Sequence, residues 1–533
     1  MSCKLIIAII GVTLISLDSW GQSSDSATAR APETRPASPA QNTSNQTGEE
    51  AQRPAQPVVA PAAGRRADPN SGQQSSSGAA STNPHEDSDL ARIPNGAGTV
   101  TGTGNTPAST GEANQRIYLE EAFIQSGRRD GLIVPPPQST GQEPWQERLF
   151  LDFRKVWKAG DRLNLTVSDR FNVRAENDIS PPNHENVIND FREGFVSWQP
   201  HDGLYLDLGR INLRSGAALG FNPTDFFKSR AVVEPLSADP SVLREDRLGT
   251  FMLETQYIGR SRALTVAVAP ALVASSPLYT DTALPSFNPS IDRTNDHYRI
   301  LVKGSFSAGS DFNPELLYYR EGSQNRFGVN LTRGIGQKEV VYAEWAAGEG
   351  RSLIDEALRY GRATGTLPAN SPDALSDDSG DHLLNELSTG GSYTTSKKIT
   401  FNLEYHLNQT GFSRHDWNSW FNIGRGQPGT SMITAELWYI RAYALDQQVS
   451  LSRHSSFLRA DWVDAFVPNL EITGFVNTDL YDGSSLIQAS ADYYISRSWT
   501  FGAQVNGNAG SRHSDFGSLE QSVSALFKVA RYF

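Results

Sequence analysis

A chain of 533 residues that is 38% hydrophobic is low in apolar residues for a soluble protein with one large core of that length, which leaves a soluble exported protein or a barrel with a wet interior. Its net charge of −12 argues against a nucleic-acid partner. Its single cysteine, Cys3, excludes a disulfide within the chain and any cysteine-based metal site.

At the N-terminus, Lys4 supplies a positive start, 5–17 is an apolar run, and Asp18-Ser19-Trp20-Gly21 follows. This pattern predicts a secretory signal peptide over 1–21. A spanning helix needs about 20 apolar residues, and Cys3 lies before the run, so neither a helical nor a lipid anchor is expected. Residues 22–115 are rich in Gln, Ser, Ala, Pro, Thr and Gly and carry no aromatic. Such a segment buries too little apolar surface to offset its ordering entropy. It is expected to be disordered, and a periplasmic tail if the residues that follow form an outer-membrane barrel.

From residue 116 to 533 the texture changes to segments of period two. In 161–174, Leu163, Leu165, Val167, Phe171 and Val173 share one face, with Asp169 the exception. Arg162, Asn164, Thr166, Ser168, Arg170, Asn172 and Arg174 share the other. Residues 399–408 and 499–508 repeat the pattern, the first with Phe401, Leu403 and Tyr405 against Asn402, Glu404 and His406. Side chains alternate sides along a strand, so each segment predicts a strand with a greasy and a wet face. Turn-forming residues close strand pairs at 158–161, 200–203, 259–262, 334–337, 467–469 and 496–498. Long polar stretches at 175–189, 214–247, 273–294, 347–385 and 408–454 separate the pairs. The expectation is an all-β, antiparallel transmembrane barrel of about 18 strands around water. Residues 434–449 also read as a helix within a loop, which would lower the count to about 16.

Stretch 204–247 breaks the rhythm, with alternation failing after Gly209 as a bulge would cause. Folded into the lumen, it would bring Arg210, Arg214, Asp225, Lys228, Arg244, Glu245, Asp246 and Arg247 to a charged constriction, the device that selects solutes in pores. A surface loop held by its own ion pairs is the alternative. Arg148, Arg154, Arg162, Arg170, Arg174 and Arg192 recur on polar faces and would form a positive ladder for anionic solutes. Asp152 and Glu193 are placed to neutralise them across strands. Trp157, Trp198, Tyr257, Trp462, Tyr493, Tyr494 and Trp499 at strand ends predict interface girdles.

The chain closes on Val523, Ala525, Phe527, Val529 and Phe533 in one row, with Arg531 departing from it. This ending resembles the C-terminal signal that the barrel insertion machinery reads as a strand ending in Phe533. Together with the strand-Gly209-Arg210 and Asn222-Pro223-Thr224-Asp225 combinations, it resembles proteobacterial outer-membrane barrels grouped near porins and alginate-export channels. The resemblance covers about 117–533 and implies a transport role in the outer membrane, without naming a substrate.

Enzyme signatures are missing: there is no His-Glu-x-x-His, phosphate-binding loop or Gly-x-Ser-x-Gly. Arg512-His513-Ser514-Asp515 is the nearest to a catalytic cluster, and Asp373, Asp377, Asp378 and Asp381 lack EF-hand spacing. The expected function is a channel that needs no cofactor and passes small hydrophilic solutes. Export of a secreted polysaccharide and a barrel-rim hydrolase are the alternatives.

Overall fold

The computed structural model describes residues 115–137, 144–176, 187–233, 236–278, 288–308, 312–376 and 380–533. The signal peptide over 1–21 and the tail lie outside them, except for Gln115, which opens the first strand. That first group of strands comprises β1 (Gln115–Arg128), β2 (Trp145–Lys158), β3 (Leu163–Glu176), β4 (Val187–His201), β5 (Leu204–Ile211) and β6 (Thr250–Ile258). Next come β7 (Arg262–Ala269), β8 (Arg299–Phe306), β9 (Glu315–Glu321), β10 (Gln324–Ile335), β11 (Glu339–Gly350) and β12 (His382–Thr394). The last six are β13 (Ile399–Asn408), β14 (His454–Trp462), β15 (Leu470–Asp479), β16 (Ser485–Ser496), β17 (Trp499–Ala509) and β18 (Gln521–Tyr532).

Every strand pairs antiparallel with its chain neighbours, and β1 pairs with β18, Tyr118 opposite Tyr532. The sheet of 18 strands therefore closes on itself and leaves no free edge. Residues 434–449 do form a helix, yet the count stays at 18, because β8, β9 and β10 crowd into 299–335. β9 and β10 are joined by Gly322-Ser323, with Gly322 at φ 55° as so tight a turn requires.

The outward row is apolar along most strands. Leu208 is 64%, Leu403 62% and Phe527 61% exposed, while the inward Asp207, Glu404 and Ser524 are buried. An unpaired backbone cannot cross hydrocarbon, so a closed wall with a greasy exterior is a transmembrane barrel. No helix among the described residues is long and apolar enough to cross a membrane. Trp157, Trp198, Tyr257, Trp462, Tyr493 and Trp499 all lie at the short-turn ends of their strands, as one girdle. Tyr494 is the exception: it is buried and turned inward, its hydroxyl donating to Glu471 at 3.1 Å. Arg531 keeps the outward register, its guanidinium 5.4 Å from the Trp499 ring and 5.1 Å from that of Phe533. Stacked at the interface, it continues the terminal row. Asp169 also points outward and accepts from Asn189 Nδ2 at 3.1 Å.

No bulge follows Gly209; the pairing runs unbroken to Ile211, where the chain leaves the wall. The bulge sits one strand earlier, between Ser168 and Asp169 opposite β4, and lets both Arg192 and Glu193 turn inward. Among the described residues the long loops carry the α-helices α1 (Pro240–Glu245), α2 (Ile291–Thr294), α3 (Leu353–Ala363), α4 (Arg414–Gly424) and α5 (Met432–Asp446). Leu353, Leu358, Trp417, Trp420, Leu437 and Ile440 of α3, α4 and α5 form one core, joined by Val134, Leu278 and Tyr481 from other long-side loops. These loops knit into a cap on the long-loop side.

Candidate channel constriction

The 38-residue connection between β5 and β6, residues 212–249, runs into the lumen and is held by strands on several sides. On β11, Glu344 accepts from the backbone N–H groups of Ala217 and Ala218, the latter at 2.6 Å, and from the Thr224 hydroxyl at 3.2 Å. On β13, Glu404 accepts from Leu219 N–H at 2.7 Å and Gly220 N–H at 2.9 Å. The Tyr342 hydroxyl and the His406 ring complete its shell at 2.5 and 2.7 Å. Each carboxylate thus takes two successive amides, a strong charge-assisted clamp. Gly216, at φ 80°, and Gly220 let the backbone approach this closely: a Cβ at Gly216 would meet Glu344, and one at Gly220 would meet His406 and Phe457.

Past this clamp, Phe226 stacks on Tyr319 of β9 with ring centroids 4.6 Å apart. Phe226 and Phe227 pack among Ala267, Ala269, Leu301 and Leu317, all inward residues of β7 to β9. The lumen is therefore not polar all round: one wall is a small apolar core that the segment fills. Further on, the Leu236 carbonyl accepts from Gln504 of β17 at 3.2 Å, and Ala238 N–H donates to Gln488 of β16 at 3.0 Å. Asp239 caps α1 through Ser241 N–H at 2.9 Å and pairs with Arg459 of β14. Asp246 finally pairs with Arg170 and Arg192, at 2.9 and 2.7 Å, on the β3–β4 wall. Opposite walls are thus tied together across the lumen.

The predicted charges divide into three groups. Within the segment, Arg247 pairs with Asp225 at 2.9 Å, and Arg244 stands 3.6 Å from Asp225 while donating to the Ser215 and Gly216 carbonyls. Lys228 donates to the Asn222 carbonyl at 2.6 Å over the Phe221 ring. Arg214 lies beside them, half-buried, and Glu245 ends α1. The stretch reaches inward residues of several strands, and most of its charges pair within it.

The second group lies on the inward faces of β1 to β4. Asp152 of β2 contacts Arg192 at 2.7 Å, Arg170 at 3.0 Å and Arg116 at 3.4 Å, and Arg170 also donates to Tyr118 at 3.1 Å. Above this node, Arg148 and Arg174 stand directly opposite each other in register, both buried. Below it, Arg154 lies 3.8 Å from Glu193.

Two candidates lie elsewhere. Arg162 belongs to the exposed β2–β3 turn, donating to the Pro200 carbonyl at 2.7 Å and pairing loosely with Asp202, so it does not line the lumen. Arg210 shares the outward row of Leu208, opposite Phe251 and Gly194. It is 0% exposed: it donates to Pro289 O and Gly249 O and lies near the Phe191 and Phe251 rings.

Glu344, Glu404 and Gln488 carry the segment but were not singled out by sequence reasoning, although Glu404 had already fallen on the polar face of its strand; Asp152 takes the cross-strand neutralising place that the sequence suggested for it. The His513 cluster does not form a relay. His513 meets Arg425 at 2.8 Å, Ser514 donates to the Ser511 carbonyl, and Asp515 is paired with Arg441 at 2.8 Å. Burial pushes the Asp515 carboxyl up to about 7, against the pull of the Arg441 guanidinium. No group of three or more His, Cys, Asp or Glu that would hold a metal occurs among the described residues.

No protein-family model matches the chain, and no curated protein matches it by sequence. Among solved structures it is similar to OccK8 (OprE) of Pseudomonas aeruginosa, at 12% identity over 79% of this chain and 97% of that one, with a TM-score of 0.43. OccK11 (OpdR) of the same organism matches at 10% identity over 79% and 95%, with a TM-score of 0.42. A mutant porin of Rh. blastica matches at 10% identity over 79% and 99%, with a TM-score of 0.35.

Proposed function

We propose that this chain is an outer-membrane channel that passes small hydrophilic solutes and favours anions. The observation that carries this reading is a closed barrel whose lumen is narrowed by a pinned segment and flanked by an arginine-rich wall on β1 to β4. A barrel of this strand number encloses an aqueous channel unless something fills it. Here the segment packs against β7 to β9, is tied to β11, β13, β14, β16 and β17, and meets the arginines of β3 and β4 through Asp246. Six inward arginines on β1 to β4, among them Arg148 and Arg174 opposite each other in register, concentrate cationic groups on one wall, and a wall of one dominant sign favours solutes of the other.

Export of a polysaccharide is not favoured, because a polymer would have to displace a segment tied to strands around the barrel. The short-turn side faces the periplasm in this reading, since outer-membrane barrels keep their short turns there. β1 begins and β18 ends on that side, which supports a periplasmic tail over 22–115 after removal of 1–21. It also supports reading of the strand ending at Phe533 by the insertion machinery.

In planar bilayers under a salt gradient, the reversal potential is expected to report anion preference. Arg148→Ala combined with Arg174→Ala should shift it toward cations with little change in the folded fraction. A folded barrel that passes no current, or one whose selectivity ignores these arginines, would refute the reading.

A further inference from the structure

Two parts of the molecule that differ in place and chemistry meet at a short stretch centred on one arginine. The first is the segment crossing the lumen; the second is the cap built by α3, α4 and α5 with loops from around the barrel. The cap is tied across the mouth by Trp438 Nε1 donating to Pro135 O at 3.1 Å and by Arg441 pairing with Asp515 at 2.8 Å. Among the described residues, the hydrogen bonds and ion pairs between segment and cap converge on 228–232.

Arg230 is the centre of that junction. It is 4% exposed and held at φ 58°, a left-handed conformation that a non-glycine residue adopts only when its surroundings dictate it. Its N–H donates to the Asp446 carbonyl at 2.8 Å, at the C-terminal end of α5, and its Nε lies 3.3 Å from the Asp446 carboxylate. The same guanidinium reaches the Asp292 carbonyl and Asp296 at 3.1 and 3.2 Å and Ser276 Oγ at 2.8 Å, and lies 5.2 Å from the Tyr360 ring of α3. Arg293 reinforces the joint by donating to the Val232 carbonyl at 2.7 Å while facing Asp446 at 3.5 Å. A cation at a helix C-terminus is favoured by the helix dipole, and a planar, five-donor guanidinium can hold this many partners where an ammonium cannot.

We infer that Arg230 is a positioning residue that couples the cap to the lumen segment, so that displacement of the cap moves the constriction. The inference rests on the channel reading for its consequence in transport, but the coupling itself stands apart from conduction. A ligand that engages the cap from outside would reset the segment, and the segment's position would set how far the cap is closed. The junction is a compact set of charged bonds between two bodies that are each well packed, the kind of contiguous contact that carries coupling.

The test is hydrogen exchange on the whole refolded protein, comparing the natural chain with Arg230→Gln, Arg230→Lys and Arg414→Gln. Arg230→Gln should lower protection about tenfold both at Ala217 to Gly220, whose amides the wall carboxylates hold, and in α5. Arg230→Lys should restore only part of it. Arg414→Gln, in a cap residue that donates to the Tyr481 carbonyl, should leave Ala217 to Gly220 unchanged. Heat-modifiable migration on a gel checks that each barrel is closed. Loss confined to 228–232, or to only one of the two bodies, would overturn the coupling. Single-channel recording then separates the two claims. If the natural chain conducts, Arg230→Gln should replace a steady level with frequent transitions to higher ones, and an unaltered trace would overturn the gating consequence. If the natural chain passes no current, the channel reading fails while hydrogen exchange still decides the coupling.

Discussion

Glu344→Ala combined with Glu404→Ala is expected to raise single-channel conductance severalfold and to strip protection from the amides of Ala217 to Gly220. The two carboxylates hold four successive backbone N–H groups of the lumen segment, together with Thr224, Tyr342 and His406. Each hydrogen bond to a charged group contributes about 1.5–3 kcal/mol, and an amide left buried without a partner costs a comparable amount. The hydrophobic seat of Phe226 against Tyr319 remains, so the segment is expected to hinge away from β11 to β13 and not to leave the barrel. Planar-bilayer recording gives the conductance and hydrogen exchange the protection. A double variant with natural conductance and protected amides would mean that packing alone, and not this clamp, holds the segment.

Asp152→Ala should cost about 3–5 kcal/mol of barrel stability, the largest effect expected of a single lumen substitution. Asp152 is fully buried and is shared by Arg116, Arg170 and Arg192. Removing one partner from a buried ionic cluster leaves charge that water reaches poorly, and the loss exceeds what the pair contributed. Asp246 still neutralises part of it, so the barrel should fold but melt earlier. Asp152→Asn should fall between, since it keeps an acceptor and loses the charge. Urea unfolding of the refolded barrel in lipid measures the difference; a change within about 0.5 kcal/mol, the scale of an ordinary surface substitution, would show that lumen water screens the cluster.

The barrel was legible because its period is local. Along β13 every outward residue is large and apolar and every inward one polar, so two faces follow from the order of side chains alone. The position of Arg210 was legible in the same way: it has the parity of Leu204, Leu206 and Leu208 and so belongs to the outward row, although its charge suggested a lumen role. The α4 start was signalled too, by Ser413 and Asp416, which form a reciprocal capping box.

Other features depend on partners far away in sequence. The inward turn of both Arg192 and Glu193 needs the bulge, a property of the β3–β4 register that neither strand reveals alone. The apolar wall under Phe226 and Phe227 was hidden because Ala267 and Ala269 lie on β7, where both faces are largely apolar, while Leu301 sits between Arg299 and Lys303 on the polar row of β8, so periodicity does not reveal the patch. The segment between β5 and β6 reads equally as a surface loop or a lumen loop until Glu344 and Glu404 are seen to bind it. Its internal pairs, Asp225 with Arg244 and Arg247, satisfy either reading.

The central claim is that the two rows of each strand meet different solvents, and thiol scanning along β17 tests it most directly. With Cys3 replaced, Asn506→Cys and Asn508→Cys in liposome-embedded barrels should react with a small membrane-impermeant thiol reagent, while Ala503→Cys and Val505→Cys should stay unmodified. Equal labelling of all four, or labelling of the second pair alone, would contradict a water-filled lumen enclosed by a lipid-facing wall.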